Sequence, residues 1–411
     1  MKKFSLVIGI IFTTSSVFSQ FGEKANQPFS NAPGSKYEFS MIKDLDATPV
    51  QAQGYTGTCW SFSSLSFFES ELLRMGKKSP ILSEMYIVRN AYKGKAEKYM
   101  RMDGHSNFDE GGAFHDIPWV IRRYGIMPYE AYTGLMDDKK YNHSEMISVL
   151  QGAMTGLKKH NDNSDGASLS TKWKNSITGI LDAYLGRLPN ETKDIKFKVD
   201  GKEYNPISFR DHLGLNMDDY VSITSFSNHP FYQPCVLAIP DNWASGISYN
   251  VPLDDFTKVM QHAVKTGYSF AWGSDVSEDY FSFRNAIAVL PEDKSTIDVD
   301  GANNKNFSNA GAQKKASCFM EPVKESKVTQ EMRQLAYDNK ETTDDHGMHV
   351  TGILKDQNGT IYYKVKNSWG TKYNKHDGYF FASEALMQYK SINVFLHKDA
   401  LPKDVRKKLG L

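Results

Sequence analysis

The stretch Gln53-Gly54-Tyr55-Thr56-Gly57-Thr58-Cys59-Trp60-Ser61-Phe62 decides the reading of this chain. From Cys59 onward the apolar residues Trp60, Phe62, Leu65, Phe68, Leu72 and Met75 fall near three-to-four spacing, which predicts a helix opening at the cysteine. A thiol at a helix N-terminus has its thiolate favoured by the positive end of the macrodipole, so its pKa is expected to be lowered. Such a nucleophile needs a base, a group that orients the base, and donors for the oxyanion it creates. Gln51 and Gln53 can each offer a side-chain amide N–H, with the backbone N–H of Cys59 as a second donor.

Far downstream, Asp345-His346-Gly347-Met348-His349 and Lys366-Asn367-Ser368-Trp369-Gly370 offer the rest. His346 and His349 are oddly spaced on a predicted strand, so they point to opposite faces and only one can meet the thiol. Asp109-Glu110-Gly111-Gly112 is a weaker feature. Adjacent glycines let an extended backbone approach closely, although a plain helix-start loop accounts for them too.

At 411 residues the chain can bury a large core, and 40% hydrophobic with 13% aromatic residues fits a packed protein. Lys+Arg at 49 against Asp+Glu at 48 implies neither a nucleic-acid nor an anionic-membrane partner. No cofactor or metal is expected. Residues 1–20 read as a signal peptide, with Lys2 and Lys3, an apolar run from Phe4 to Phe12, and Val17-Phe18-Ser19 as a cleavage site. The expectation is an exported protein, periplasmic or secreted. Three cysteines are an odd number. With Cys59 as the working thiol, Cys235 and Cys318 are left either to pair or to stay as buried thiols.

Residues 21–38 are polar and read as an extended arm, and 401–411 as a C-terminal tail. The domain between them, 39–400, begins helical: Cys59 to Met75, a second helix after Pro80, and a third over Ala113–Tyr124 closing at Gly125. An insertion at about 135–265 shows helical periodicity over Met146–Leu157, Trp173–Tyr184 and Phe256–Ala263, with His160–Ser170 as an exposed loop. The last part changes period. His346–Leu354, Ile361–Lys366, Gly378–Phe381 and Ser391–Leu396 are short and alternating, with a hairpin turn at Gln357-Asn358-Gly359-Thr360. A helical N-terminal half, a mainly helical insertion and an antiparallel-sheet C-terminal half make the class α+β.

The Gln-Gly-x-x-Gly-x-Cys-Trp-x-Phe string and the Asn-Ser-Trp-Gly string resemble the two active-site segments of papain-like cysteine peptidases. Asp345-His346-Gly347-Met348 followed by Gly352 resembles that family's histidine segment. The resemblance implies Cys59 as nucleophile, His346 as base, Asn367 as its orienting partner and Gln53 as oxyanion donor. It also implies Gly111 and Gly112 lining the non-primed side of the cleft. His349 is expected packed or partly exposed on the opposite face, and the large flat indole of Trp369 is expected over the His346–Asn367 bond. Cys59 and His346 lie much farther apart than the ~130–150 residues usual for cathepsins. Leu82-Ser83-Glu84-x-Tyr86, Tyr220-Val221-Ser222 and Trp272-Gly273-Ser274-Asp275-Val276 resemble the bleomycin hydrolase or aminopeptidase C branch. That branch implies aminopeptidase action on peptide or unfolded-protein substrates and a homo-oligomer, a hexameric ring. The branch is largely intracellular, and its C-terminal arm, which limits cleavage to N-termini, is longer than the Lys398–Leu411 segment here. An exported endopeptidase with an open cleft and an idle binding protein are the competing readings.

Overall fold

The computed structural model describes residues 27–136, 140–162, 170–189, 191–301 and 311–411. The expected signal peptide, the first part of the arm and 163–169 of the polar strip lie outside them. Strand β1 (Ser40–Asp44) precedes three helices, α1 (Cys59–Arg74), α2 (Glu84–Arg101) and α3 (Asp116–Tyr124). Next come α4 (Ser144–Asp162), α5 (Lys172–Leu185), the hairpin β2 (Phe197–Val199) and β3 (Lys202–Tyr204), and α6 (Pro206–Leu213). The chain then forms β4 (Tyr220–Thr224), β5 (Pro234–Val236), β6 (Ile247–Asn250), α7 (Leu253–Lys265) and β7 (Phe270–Ser274). Short strands β8 (Phe281–Ser282), β9 (Ile287–Ala288), β10 (Asp298–Asp300) and β11 (Gln313–Lys315) lead to α8 (Gln330–Asp338). The last part holds β12 (His346–Lys355), β13 (Ile361–Lys366), β14 (Tyr379–Ser383), α9 (Glu384–Lys390), β15 (Ser391–His397) and α10 (Lys403–Leu409).

Local chemistry sets these boundaries. The Ser83 side chain accepts the Tyr86 N–H to start α2, and Gly125 at φ 73° stops α3. Asn205 and Ser208 form a reciprocal capping box around Pro206 at the head of α6. In the β12–β13 turn, the Asp356 carboxylate accepts the N–H groups of Asn358 and Thr360, both at 2.9 Å, and Gly359 takes φ 85°.

The main sheet runs β5-β6-β4-β15-β7-β12-β13-β14-β9-β8, with β1 also paired to β12, eleven strands in all. Its pairing is antiparallel except at β4–β6 and β9–β14, so the expected antiparallel sheet is a mixed one. Strand alternation divides the interior into two cores. Ala271 and Phe395 join the core of α1 to α6, whereas Phe270, Trp272, Val394 and Leu396 join the core beneath α7 and α9. The insertion therefore contributes to both layers: α4–α6 enlarge the helical side, and β4–β6 extend the sheet.

The arm is anchored. Phe29 and Phe39 exchange backbone hydrogen bonds, the Asn31 amide donates to the carbonyls of Asn285 and Phe319, and Tyr37 and Phe39 are buried. The tail is not loose: α10 buries Val405 and Leu409 and is ion-paired to α7 through Lys258–Asp404 and Lys408–Asp255. Cys235 and Cys318 are free thiols. No helix among the described residues is long and apolar enough to cross a membrane.

Ile353 lies fully buried on β12 in the α7-side core. Ile353→Ala should destabilise the fold by about 2–5 kcal/mol, read as a lower urea midpoint. An unchanged midpoint would mean that β12 is not packed as described.

Candidate active site

The site forms where the start of α1 meets the start of β12. Cys59 is the first residue of α1 and only 7% exposed. Its Sγ accepts a hydrogen bond from the Gly347 N–H at 3.4 Å. That approach requires the glycine. A Cβ on residue 347 would stand 2.9 Å from Ser63 Oγ and 3.2 Å from the Trp60 Cα. Trp60 fixes the helix start from the other side by donating its indole N–H to the Glu110 carbonyl at 3.1 Å.

His346 is the first residue of β12, next to this donor, and is buried. Asn367 Oδ1 accepts the Ser368 N–H at 2.7 Å, which identifies that atom as the amide oxygen. The 2.8 Å contact from His346 Nε2 to the same atom is therefore an Nε2–H donation. Nδ1 then carries the lone pair, and it has no other hydrogen-bond partner. It is the nitrogen that can take the thiol proton. The Trp369 ring lies 4.8 Å from the imidazole at 30°, backed by edge contacts to Phe281 and Phe283. It shields the His346–Asn367 pair from water. Trp369 also lines a separate cavity of about 410 Å³ with Gln51, Gly54, Phe62 and Tyr141.

His349 occupies the opposite face of β12, as its odd spacing from His346 predicts. The Ser66 hydroxyl accepts from the Lys366 ammonium at 2.7 Å and is hydrogen-bonded to His349 Nδ1 at 2.9 Å. Burial holds the His349 pKa well below the ordinary value, and the Lys366 cation adds to that. This is a packed, neutral histidine.

Gln53 is fully buried and joins the two active-site segments. Its N–H donates to the Ser368 carbonyl at 2.9 Å, and its Oε1 accepts the Ser368 hydroxyl at 2.6 Å. Nε2 donates to the Thr56 carbonyl at 2.6 Å. Gly111 and Gly112 lie along the Cys59 side: Gly112 packs on the Trp60 ring, and Gly111 meets Asp241. Cys59 and His346 line a cavity of about 20 Å³, room for roughly one water, with Asp241, Asp344, Gly273 and Asn393 in its wall.

The electrostatics differ from the helix-start expectation. Burial pushes the Cys59 thiol up to about 12, and the charges of Asp241 and Asp344 add to that against the Gly347 N–H. Burial also takes His346 down to about 4, which the Asn367 bond opposes. Desolvation is the largest influence on both groups and favours a neutral thiol beside a neutral imidazole.

Sequence reasoning missed several supporting groups. The Gly347 N–H is a backbone donor and Ser368 an ordinary serine inside a motif, so neither carries a chemical signature. Asp275, quoted above only as part of a motif, accepts the Thr343 N–H at 2.8 Å and orders the approach to His346. Asp241 lies in the insertion, where no spacing pattern marks it.

A cysteine at a helix start, meeting a histidine–asparagine pair on a neighbouring sheet, is the arrangement of papain-like cysteine peptidases. The chain belongs to the Peptidase C1-like family, whose sequence profile matches residues 83–306 and 318–410. Gln53 and Cys59 precede the matched residues, and their place in the site rests on the geometry above. Among curated relatives, aminopeptidase C of Listeria innocua is 24% identical over 393 residues, spanning 88% of this chain and 83% of that protein. Aminopeptidase G of Lactobacillus delbrueckii subsp. lactis is 23% identical, spanning 89% and 85%. Among solved structures, PepW from Lactobacillus rhamnosis superposes with a TM-score of 0.67 at 19% identity, covering 90% of this chain and 84% of that one. The match is one of fold.

His346→Ala should cripple turnover by more than about 10³-fold, whereas His349→Ala should cost far less in kcat/KM and show mainly as reduced stability. The reverse ranking would assign the base to His349. The neutral resting pair also predicts no Cys59-dependent thiolate absorbance near neutral pH. The wild-type minus Cys59→Ala difference spectrum near 240 nm should stay flat from about pH 5 to 8, since a raised thiol pKa keeps the proton on sulfur there. A thiolate band at pH 6 would instead show an ion pair.

Proposed function

We propose that this protein is an exported thiol-dependent aminopeptidase that trims peptides through an acyl-enzyme. The observation that carries the proposal is the constellation at one point of the fold: Cys59 Sγ on the Gly347 N–H, beside His346, whose Nε2–H is held by Asn367. His346 Nδ1 takes the thiol proton as sulfur attacks the scissile carbonyl, then gives it to the departing amine. The resulting thioester is cleaved by water, activated by the same nitrogen. The Cys59 N–H and the Gln53 side-chain amide are the oxyanion donors. The intact set of Cys59, His346, Asn367 and Gln53 opposes the idle-protein reading.

Two observations support cleavage at N-termini. The curated relatives are named aminopeptidases. The cavity at Cys59 is small, about 20 Å³, and the one at Trp369 is about 410 Å³. The two share no lining residue, so the nucleophile itself stands in a confined pocket. Export is supported by Lys2, Lys3 and the apolar run Phe4–Phe12. A homo-oligomer is part of the same proposal, and its mass by light scattering tests it.

Cys59→Ala should abolish hydrolysis of a free-amine peptide while leaving expression and thermal midpoint unchanged. Retained turnover above about a hundredth of wild type would remove Cys59 as nucleophile. Terminal labelling of the products should show single residues released from the N-terminus. Internal cuts at equal rate would make the endopeptidase reading the better one.

A further inference from the structure

We infer that Asp241 selects the free N-terminus of the substrate: its carboxylate receives the α-ammonium and obstructs any chain extending past it. This rests on the peptidase reading above and names the group that makes the enzyme an aminopeptidase.

Placement is the first argument. Asp241 lines the same small cavity as Cys59 and His346. It also lies hard against the glycine pair: a Cβ built on Gly111 would fall 2.2 Å from Asp241 Oδ2 and 2.3 Å from Oδ1. An extended substrate running along Gly111–Gly112 meets that carboxylate directly. The group that would stop the chain is therefore also the one that would greet its ammonium.

The second argument is rigidity. Asp241 sits on the β5–β6 loop, immediately before two anchored residues. Asn242 braces the loop internally, donating to the Leu237 carbonyl at 3.1 Å and the Gly246 carbonyl at 3.0 Å, and accepting the Gly246 N–H at 2.7 Å. Trp243 fixes the loop to α3 by donating its indole N–H to Asp116 Oδ2 at 2.6 Å, with its ring edge-on to Trp119. The Asn107 amide orients the Asp241 carboxylate itself at 3.2 Å. A carboxylate held this firmly binds an ammonium without a large ordering cost.

The third argument is charge. Lys95, buried beneath the glycine loop, donates to the Asp109 carbonyl at 2.7 Å and to the Gly111 carbonyl. This single cation feels four carboxylates, those of Asp116, Asp241, Asp109 and Glu110. Burial raises the Asp116 carboxyl to about 7 and lifts that of Glu110 as well, so these acids do not carry four full negative charges. Hydrogen bonds hold the neighbouring acids: Glu110 accepts the Gly57 N–H, Asp116 the Ala113 N–H and the Trp243 indole, and Asp345 the Thr343 hydroxyl. Asp344, facing the same cavity from the His346 side, is the internal competitor. The chain's last helix does not compete, because α10 is ion-paired to α7 and no residue beyond Asn393 lines the cavity.

The test uses the full-length protein and one hexapeptide made with a free or an N-acetylated amine. Binding is measured calorimetrically in the Cys59→Ala background, with Asp241 intact, with Asp241→Asn or with Asp344→Asn. Turnover of both peptides is measured with Cys59 present. With Asp241 intact the free amine should be preferred roughly 10- to 100-fold, as expected for a hydrogen bond between charged groups. Asp241→Asn is isosteric and should bring the ratio close to one, through KM more than kcat; Asp344→Asn should preserve it. If the ratio survives Asp241→Asn, or disappears only with Asp344→Asn, the inference is overturned. If neither peptide is hydrolysed yet the binding preference depends on Asp241, the peptidase reading fails and the ammonium site stands.

Discussion

The close approach of α1 to β12 at Gly347 is the constraint on which the site depends. Nucleophile and base come from opposite ends of the chain, and they meet because residue 347 has no side chain to hold the two elements apart. A Cβ there would stand 2.9 Å from Ser63 Oγ and 3.2 Å from the Trp60 Cα, so the hydroxyl would have to turn aside and the helix start would have to give slightly. That contact propagates outward. Trp60, seated against β12, presents its ring to Gly112 and its indole N–H to the Glu110 carbonyl, so the glycine loop takes its position from the same seam. The Gln53 segment closes the arrangement from the other side by hydrogen-bonding to Ser368, beside Asn367. Three stretches distant in sequence are thereby fixed to one helix start.

What could be read beforehand follows from where the physical signal lies. The α1 helix, β13 and the turn at Gly359 announce themselves through period and turn chemistry, since burial on one face imposes 3.6- or 2-residue repeats. That His346 and His349 face opposite ways was legible, because strand alternation alone separates them, and the family resemblance is what favours His346 as the base. The mixed character of the sheet was not: β4–β6 and β9–β14 are short pairings set by tertiary contacts, and four or five residues carry no mark of strand direction. The neutral state of Cys59 was also hidden, because the macrodipole is visible in a sequence pattern and the depth of burial is not. Asp241 is the clearest case. A lone aspartate in a stretch of the insertion that lacks periodicity acquires meaning only when Asn242 and Trp243 turn the loop onto Gly111.

The neutral Cys59–His346 pair and the carboxylate at Asp241 belong to one electrostatic problem. A thiolate in this cavity is opposed first by desolvation and then by the negative charges of Asp241 and Asp344. The Gly347 N–H offsets only part of this, and the imidazole, itself buried, gains its proton reluctantly. In the empty cleft, proton transfer from sulfur to Nδ1 is therefore unfavourable, and the thiol is kept from adventitious reaction. An ammonium seated on Asp241 changes the balance, because it cancels one of the two charges that oppose the thiolate. The substrate's own N-terminus would then ease the step that begins its cleavage, whereas an acetylated peptide would bring no such charge. Selection and activation meet at one carboxylate, and they do so because the insertion brings an acid into a cleft whose nucleophile is already starved of solvent.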